Sequence, residues 1–203
     1  MSELKSWSFD LTDEVMEKAI KFHTKPSPGT YIGVYLLKYL TDNLGEVEGK
    51  LHIITETGGC LLDVAQAVLN RTMGNKYLRL KRLGNFAYTG YGRENPKKAL
   101  RVYVDIEKVD KNKYPNLYGF FTSSRDYEKY DRKQLNKFTI SEFLEAKDSI
   151  FSMEWVEIKS IPYKPDMPVK KICDTCGQSF ATKDYDEKTC KLCNEDFKYF
   201  ERK

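Results

Sequence analysis

The stretch that decides the fold is residues 50–69, KLHIITETGGCLLDVAQAVL. Its first half is rich in β-branched and aliphatic residues, which favour a strand. Its second half repeats apolar residues at nearly 3.6-residue spacing, which is typical of a helix with one buried face. Between the halves, Gly58 and Gly59 permit a tight turn and leave backbone N–H groups uncovered at a helix N-terminus. The sequence therefore predicts a strand, a glycine turn and a helix in succession.

Cys60 directly follows this glycine turn. The positive end of a helix dipole favours a thiolate, so a cysteine at this position is a candidate for chemistry. A small cysteine can equally fill space beside the turn without any reactivity. Both interpretations are open at this point, because a single cysteine carries little information by itself.

Composition and charge narrow the class of protein. The chain has 203 residues, of which 40% are hydrophobic and 32% are charged, which fits one medium domain with a small second one. The formal net charge of +4 permits an acidic partner but does not require one. The N-terminal stretch resembles no signal peptide and no apolar run could span a bilayer, so we expect a cytoplasmic protein without membrane contact. Its five cysteines are then thiols or metal ligands rather than disulfides.

Two helices are predicted before the central stretch. Thr12 can cap the first helix, and the second helix spans about residues 30–44. A proline- and glycine-rich loop, residues 24–29, separates them. His23 falls near the end of the first helix, on or beside its buried face. A histidine there is either a hydrogen-bonded structural group or a ligand.

The fold class follows from the segments after residue 69. Strand-like segments at residues 77–83, 86–91 and 99–105 predict an antiparallel meander, and residues 151–158 predict a further strand. Residues 124–147 are predicted to be mostly helical. Their interleaved tyrosines and basic residues either contact nucleic acid or form a solvated face with alternating charge. The sequence therefore predicts an α+β core, with N-terminal helices packed on a mainly antiparallel sheet.

The C-terminal segment carries the strongest chemical signal. Two C-x-x-C pairs, thirteen residues apart, can supply four thiolates to a tetrahedral zinc ion. A redox motif would need only one such pair, so we predict one structural zinc per chain and a closed, non-catalytic site. The predicted domains are a core at 1–160, a proline-rich linker at 161–169 and a zinc finger at 170–203. The predicted zinc ligands are Cys173, Cys176, Cys190 and Cys193.

Several segments in the same order resemble the FmdE family, which is named after formylmethanofuran dehydrogenase. Residues 22–29, FHTKPSPG, are similar to the family signature F-H-G-H-x-C-P-G. Residues 60–66, CLLDVAQ, and 72–75, TMGN, match a second motif, and the meander ending at Arg101 matches a third. The resemblance implies an α+β core, a zinc-finger appendage found in some members, and a homodimer. The family name records a genetic association and does not establish a catalytic role.

This chain departs from the family signature at two positions. Lys25 stands where the family has a second histidine, and Ser27 stands where it has a cysteine. The resemblance implies that the remaining His23 and Cys60 face one pocket, and Asp63 is a further candidate ligand beside them. Lysine and serine are poor ligands for zinc, so a second, core metal is a weaker prediction than the four-cysteine site. These three residues are the candidate core metal or ligand site, and His23 and Cys60 are the candidate catalytic residues.

Three functions are consistent with these patterns. The favoured one is a homodimeric zinc-binding accessory protein that binds a metal, a ligand or a protein, with the zinc finger as a surface for a protein partner. The second is a metal- or thiol-dependent enzyme of one-carbon or redox metabolism that uses Cys60 and His23. The third is a nucleic-acid-binding regulator, which the basic residues 79–82 suggest. The third is not favoured, because the charges of the zinc finger are balanced.

Overall fold

The computed structural model describes residues 4–159 and 168–194. The chain divides into two units, Met1–Lys159 and Ser160–Lys203. We call their described parts the α+β unit (4–159) and the cysteine module (168–194). Most of the predicted linker lies outside the described residues, and its last residue, Val169, begins a strand.

The first two helices are set by their N-terminal caps. Helix α1 (Asp13–Phe22) begins after Thr12, whose hydroxyl accepts a hydrogen bond from the backbone N–H of Val15 at 3.3 Å. Helix α2 (Pro28–Leu44) is capped by Ser27 in the same way. It begins two residues before the predicted start, because the fixed backbone of Pro28 suits the first turn of a helix.

The central sheet has five strands, and three of its four strand pairs are antiparallel, in agreement with the predicted mainly antiparallel sheet. Its spatial order is β4-β3-β5-β6-β7. Strand β4 departs from the predicted meander, because it runs parallel to β3 at the sheet edge. Helix α3 (Cys60–Leu69) makes the crossover that a parallel neighbour requires. The strands are β3 (Leu51–Thr55), β4 (Leu78–Leu80), β5 (Ala87–Gly92), β6 (Ala99–Val104) and β7 (Phe151–Val156).

The hydrophobic core lies between this sheet and the helices. Helix α2 contacts strands β5 and β6 as well as α1 and α3, which explains why it is buried along most of its length. Each fully buried leucine or isoleucine contributes about 1.5–3 kcal/mol of transfer free energy. The buried side chains that α2 contributes include Ile32, Val34, Leu36, Leu37 and Leu40.

The second half of the α+β unit differs from the prediction. Helix α4 (Pro115–Thr122) was not predicted, and α5 (Arg132–Ala146) begins eight residues after the predicted start at 124. A capping box between Asp131 and Gln134 fixes the start of α5. The interleaved basic and tyrosine residues before Asp131 therefore lie outside a helix.

Short elements complete the described chain. Strands β1 (Leu4–Ser6) and β2 (Glu46–Glu48) form a two-stranded antiparallel sheet. Two 3-10 helices span Ile106–Lys108 and Lys147–Ile150. In the cysteine module, β8 (Val169–Ile172) and β9 (Ser179–Thr182) form an antiparallel hairpin. No helix in the described parts of the chain is long and apolar enough to cross a membrane.

Candidate functional site

The core site lies beside the glycine turn, where the end of α1 meets the first residues of α2 and α3. Cys60 is the first residue of α3, as predicted, and His23 is the residue that ends α1. The sulfur of Cys60 lies 3.4 Å from Nε2 of His23. The other ring nitrogen of His23, Nδ1, lies 2.7 Å from a carboxylate oxygen of Asp63. His23 therefore stands between Cys60 and Asp63 and contacts each through a different nitrogen.

The N-terminus of α2 closes one side of the Cys60 thiol. The hydroxyl of Ser27 lies 3.3 Å from the Cys60 sulfur and 2.9 Å from the hydroxyl of Thr30. A methyl group at Gly29 would lie 2.8 Å from the same sulfur. Only glycine permits this approach of α2 to Cys60. The sequence indicated Gly29 only as part of a loop and did not reveal this role.

Only some of the predicted core residues lie together in the structure. The structure brings His23, Cys60 and Asp63 together, and it leaves Lys25 exposed. Within the described ranges, the four C-terminal cysteines are the only group of three or more cysteine, histidine or acidic residues close enough together to hold a metal ion. A core metal therefore stays a prediction, for which Cys60 and His23 supply the two donors that face each other.

Tyr88 on β5 ties α3 to the sheet directly beneath this site. Its hydroxyl is buried and donates a 2.6 Å hydrogen bond to the backbone carbonyl of Leu61. Burial raises the pKa of Tyr88 well above its usual value, and the nearby Cys60 and Asp63 raise it further. Tyr88 thus remains a neutral hydrogen-bond donor that fixes the first turn of α3. The sequence predicted that Tyr88 lies in a strand but did not predict this contact.

A polar pair that the sequence did not reveal lies on the opposite face of the sheet. Arg101 contacts both carboxylate oxygens of the buried Glu56, at 2.6 and 2.9 Å. The hydrogen bonds from Arg101 lower the pKa of Glu56, against the effect of burial, and Asn85 adds another hydrogen bond. Arg101 and Asn85 line a cavity of about 550 Å³ together with Phe86, Tyr103 and Phe121. Its mixed aromatic and polar lining suits a small organic ligand.

His52 on β3 lies in a cluster of aromatic and basic side chains. Its ring centroid lies 5.3 Å from that of Tyr77 and 5.4 Å from that of Tyr91. Burial, reinforced by three nearby arginines, lowers the pKa of His52 from 6.5 to about 4. Neither ring nitrogen has a hydrogen-bond partner among the described residues. His52 is therefore neutral near pH 7, and no motif in the sequence indicated this.

The cysteine module gathers its four predicted ligands at one point. Their sulfur atoms all lie within 4.8 Å of one another, and the sulfurs of Cys176 and Cys190 are 3.7 Å apart. Sulfurs bonded to one tetrahedral ion at about 2.3 Å would be about 3.8 Å apart. Gly177, with φ +70°, closes the first turn. The four cysteines could therefore hold a metal ion.

Hydrogen bonds favour the thiolate form of one of these cysteines, which is the form that binds a cation. The backbone N–H of Cys190 donates to the sulfur of Cys173 at 3.3 Å. This bond and the N–H groups of the first turn lower the pKa of Cys173 to about 6, against the effect of burial. Burial, followed by hydrogen bonding to the other cysteines, raises the pKa of Cys193 to about 12. A bound cation would be needed to keep all four sulfurs as thiolates.

The sequence of the chain is similar to that of a curated protein. A curated relative from Archaeoglobus fulgidus, named "Probable S-adenosyl-L-methionine-binding protein", is 29% identical over 174 residues. The match covers 79% of this chain and 47% of the relative, so the chain spans about half the length of that relative.

A solved structure has the same fold over nearly the whole chain. It is the crystal structure of a tungsten formylmethanofuran dehydrogenase FmdE-like protein from Syntrophus aciditrophicus. It superposes with a TM-score of 0.74 at 24% identity, over 98% of this chain and 100% of that one. The model of the FmdE family, described as "Molybdenum formylmethanofuran dehydrogenase operon", matches residues 22–159. Since this match covers more than half of its residues, the chain belongs to the FmdE family.

Proposed function

We propose that this FmdE-family chain is a zinc-binding accessory protein in which one zinc ion, held by four cysteines, folds the cysteine module. The observation that carries the proposal is the convergence of four sulfur atoms within 4.8 Å. A tetrahedral set of four thiolates suits zinc or iron, and zinc is the common structural choice. Because all four positions are filled by the protein, the metal would stabilise the module rather than perform catalysis.

A binding role fits the other features of the chain. The α+β unit offers a cavity with aromatic and polar lining, and the cysteine module is a small folded surface for a protein partner. A cytoplasmic location belongs to the same proposal, because none of the five cysteines forms a disulfide and a reducing compartment would keep them in that state.

A homodimer is a further part of the proposal. Strand β7 lies at the edge of the sheet, where its outer backbone groups can pair with another strand. Met153 and Trp155 on this strand are 47% and 54% exposed. Apolar side chains of this size on an edge strand favour contact with a second copy, as the family resemblance implies.

Elemental analysis of the purified full chain tests the zinc site. We expect about one zinc per chain in wild type and in the control Ser179→Ala, which changes an exposed residue of the same hairpin. Cys176→Ser should lose most of the zinc. Iron in place of zinc, or wild type that holds no metal and keeps its module folded in a chelator, would refute the proposal.

The mass of the native protein at micromolar concentration tests the dimer. We expect the mass of two chains in wild type and a shift toward one chain in Trp155→Lys. Tyr127→Lys changes a side chain that is 55% exposed in the loop before α5 and should leave the mass unchanged. Wild type with the mass of a single chain would remove the dimer from the proposal and leave the zinc site intact.

A further inference from the structure

The core site has the geometry of a nucleophile, a base and an orienting carboxylate. Nε2 of His23 faces the Cys60 sulfur at 3.4 Å, and Nδ1 faces Asp63 at 2.7 Å. We propose that Cys60, His23 and Asp63 form a catalytic triad in which the Cys60 sulfur accepts the acyl group of a small activated ester or thioester. This activity goes beyond the proposed binding function and uses different residues.

Asp63 determines which nitrogen of His23 carries the proton. A carboxylate accepts hydrogen bonds, so the 2.7 Å contact places a proton on Nδ1 of the neutral ring. The lone pair of Nε2 then points at the thiol, where it can take up the sulfur proton. Asp63 touches no reacting atom and is therefore a positioning residue, whereas His23 and Cys60 are catalytic.

The local backbone explains why these three side chains meet. Asp63 follows Cys60 by three residues on α3, which puts both on one side of that helix. His23 ends α1, and α1 packs against α3. The arrangement is thus supported by two packed helices rather than by a mobile loop, as precise catalysis requires.

The surroundings of the sulfur suit a carbonyl substrate. The residue that precedes α3 is Gly59, which has no side chain to cover the backbone N–H groups of the first turn. Such N–H groups beside a nucleophile can stabilise the negative charge that forms on a carbonyl oxygen under attack. Gly58 and Gly59 are exposed, and the space beside Gly59 is open. In this proposal the substrate therefore approaches the half-buried thiol from the side of the glycine turn.

The proposed reaction needs no oxidant or added cofactor. The sulfur lone pair of Cys60 attacks the acyl carbon, His23 takes the thiol proton, and negative charge collects on the carbonyl oxygen. The bond to the leaving group then breaks, and His23 returns the proton to that group. The products are an acyl thioester on Cys60 and a free alcohol or thiol. Attack by water, with His23 again as base, releases the carboxylic acid and restores the Cys60 thiol.

The test uses the full zinc-loaded chain with p-nitrophenyl acetate as the probe. We expect a rapid release of about one p-nitrophenol per chain, as for a covalent acyl intermediate, and an acetyl group that peptide mass mapping locates on Cys60. His23→Gln and Asp63→Asn should each slow acylation by about 100-fold. Asp63→Glu, which keeps the carboxylate, should recover part of that rate. The control Glu17→Gln, an exposed site on α1, should acylate like wild type.

Three results would overturn the triad. The first is acylation of His23→Gln at the wild-type rate, with an unchanged thermal unfolding midpoint. The second is an acetyl group on the module cysteines instead of Cys60. The third is a wild-type chain that holds a second metal on Cys60 and His23 and forms no acetyl group on Cys60. If Asp63→Asn fails to fold, His23→Gln and Asp63→Glu decide the result. Failure of the triad would leave the zinc content of the cysteine module unaffected.

Discussion

The two thiol sites of this chain are built in opposite ways. Cys60 is held by packed helices, with Gly29 of α2 against its sulfur and His23 of α1 beside it. The four C-terminal cysteines are held by two short turns and a hairpin. Of the residues described in the cysteine module, only Cys173, Thr182 and Cys190 are buried. The geometry of the first site is therefore fixed by protein packing, whereas the geometry of the second depends on what its sulfurs bind.

Because of this difference, the two sites suit different functions. A cysteine held by a folded core can meet a substrate while the surrounding structure stays fixed. A module with so little buried apolar surface needs the binding free energy of a metal in order to fold. The same residue type thus favours reactivity in one unit and structural support in the other.

The largest expected effect is the loss of metal from the cysteine module. Structural zinc contributes about 10–16 kcal/mol of binding free energy, which in this module is also folding free energy. A strong chelator should abolish amide-exchange protection in residues 168–194 and leave residues 4–159 protected. Hydrogen exchange read by mass spectrometry reports both units in one experiment. Equal loss of protection in both units would contradict the conclusion that only the cysteine module depends on metal.

A smaller effect is expected where α2 packs on the Cys60 thiol. In Gly29→Ala the new methyl group would lie 2.8 Å from the Cys60 sulfur, so the Cys60 side chain or the helices must shift. We expect the free energy of unfolding of the α+β unit to fall by about 1–3 kcal/mol, measured by urea titration. Gly74→Ala is the matched control, because a methyl group there meets no atom within 4 Å. Equal stability of the two variants would show that packing does not hold Cys60.

The smallest expected effect is the acid sensitivity of the α+β unit through His52. Its pKa is about 4 in the folded state against an ordinary value of 6.5. Between these values the unfolded chain binds more protons, so stability falls as pH falls from 6.5 toward 4. Partial solvent screening reduces the loss to about 1–2 kcal/mol. Urea titrations at pH 7 and pH 4.5 should show a smaller loss in His52→Phe than in wild type, and equal losses would contradict this account.

The local parts of the fold could be predicted from the sequence. Thr12 as a cap, the helical periodicity of α2 and the glycine turn before Cys60 act over a few residues, and all appear as expected. The strand β4 itself was predicted, but its antiparallel pairing was wrong, because parallel pairing with β3 depends on how α3 packs. Helix α4 was missed altogether. The start of α5 was predicted eight residues too early, because the polar residues before Asp131, with their alternating charges, obscure the helical period.

The candidate site could be predicted only in part. The spacing of the four cysteines was sufficient for the module, because two C-x-x-C pairs bring their sulfurs together by local turns. The family resemblance placed His23 and Cys60 in one pocket, with Asp63 only as a further candidate. The contact between His23 and Asp63 joins residues forty positions apart, and only packing of α1 on α3 orients the ring between its two partners.

The most direct test of the difference between the two sites is alkylation of the native, zinc-loaded chain with iodoacetamide, followed by peptide mass mapping. We expect Cys60 to be modified first. Cys173, Cys176, Cys190 and Cys193 should stay protected until a chelator is added. Modification of those four cysteines as fast as Cys60, or a Cys60 that resists alkylation in the native chain, would contradict the account.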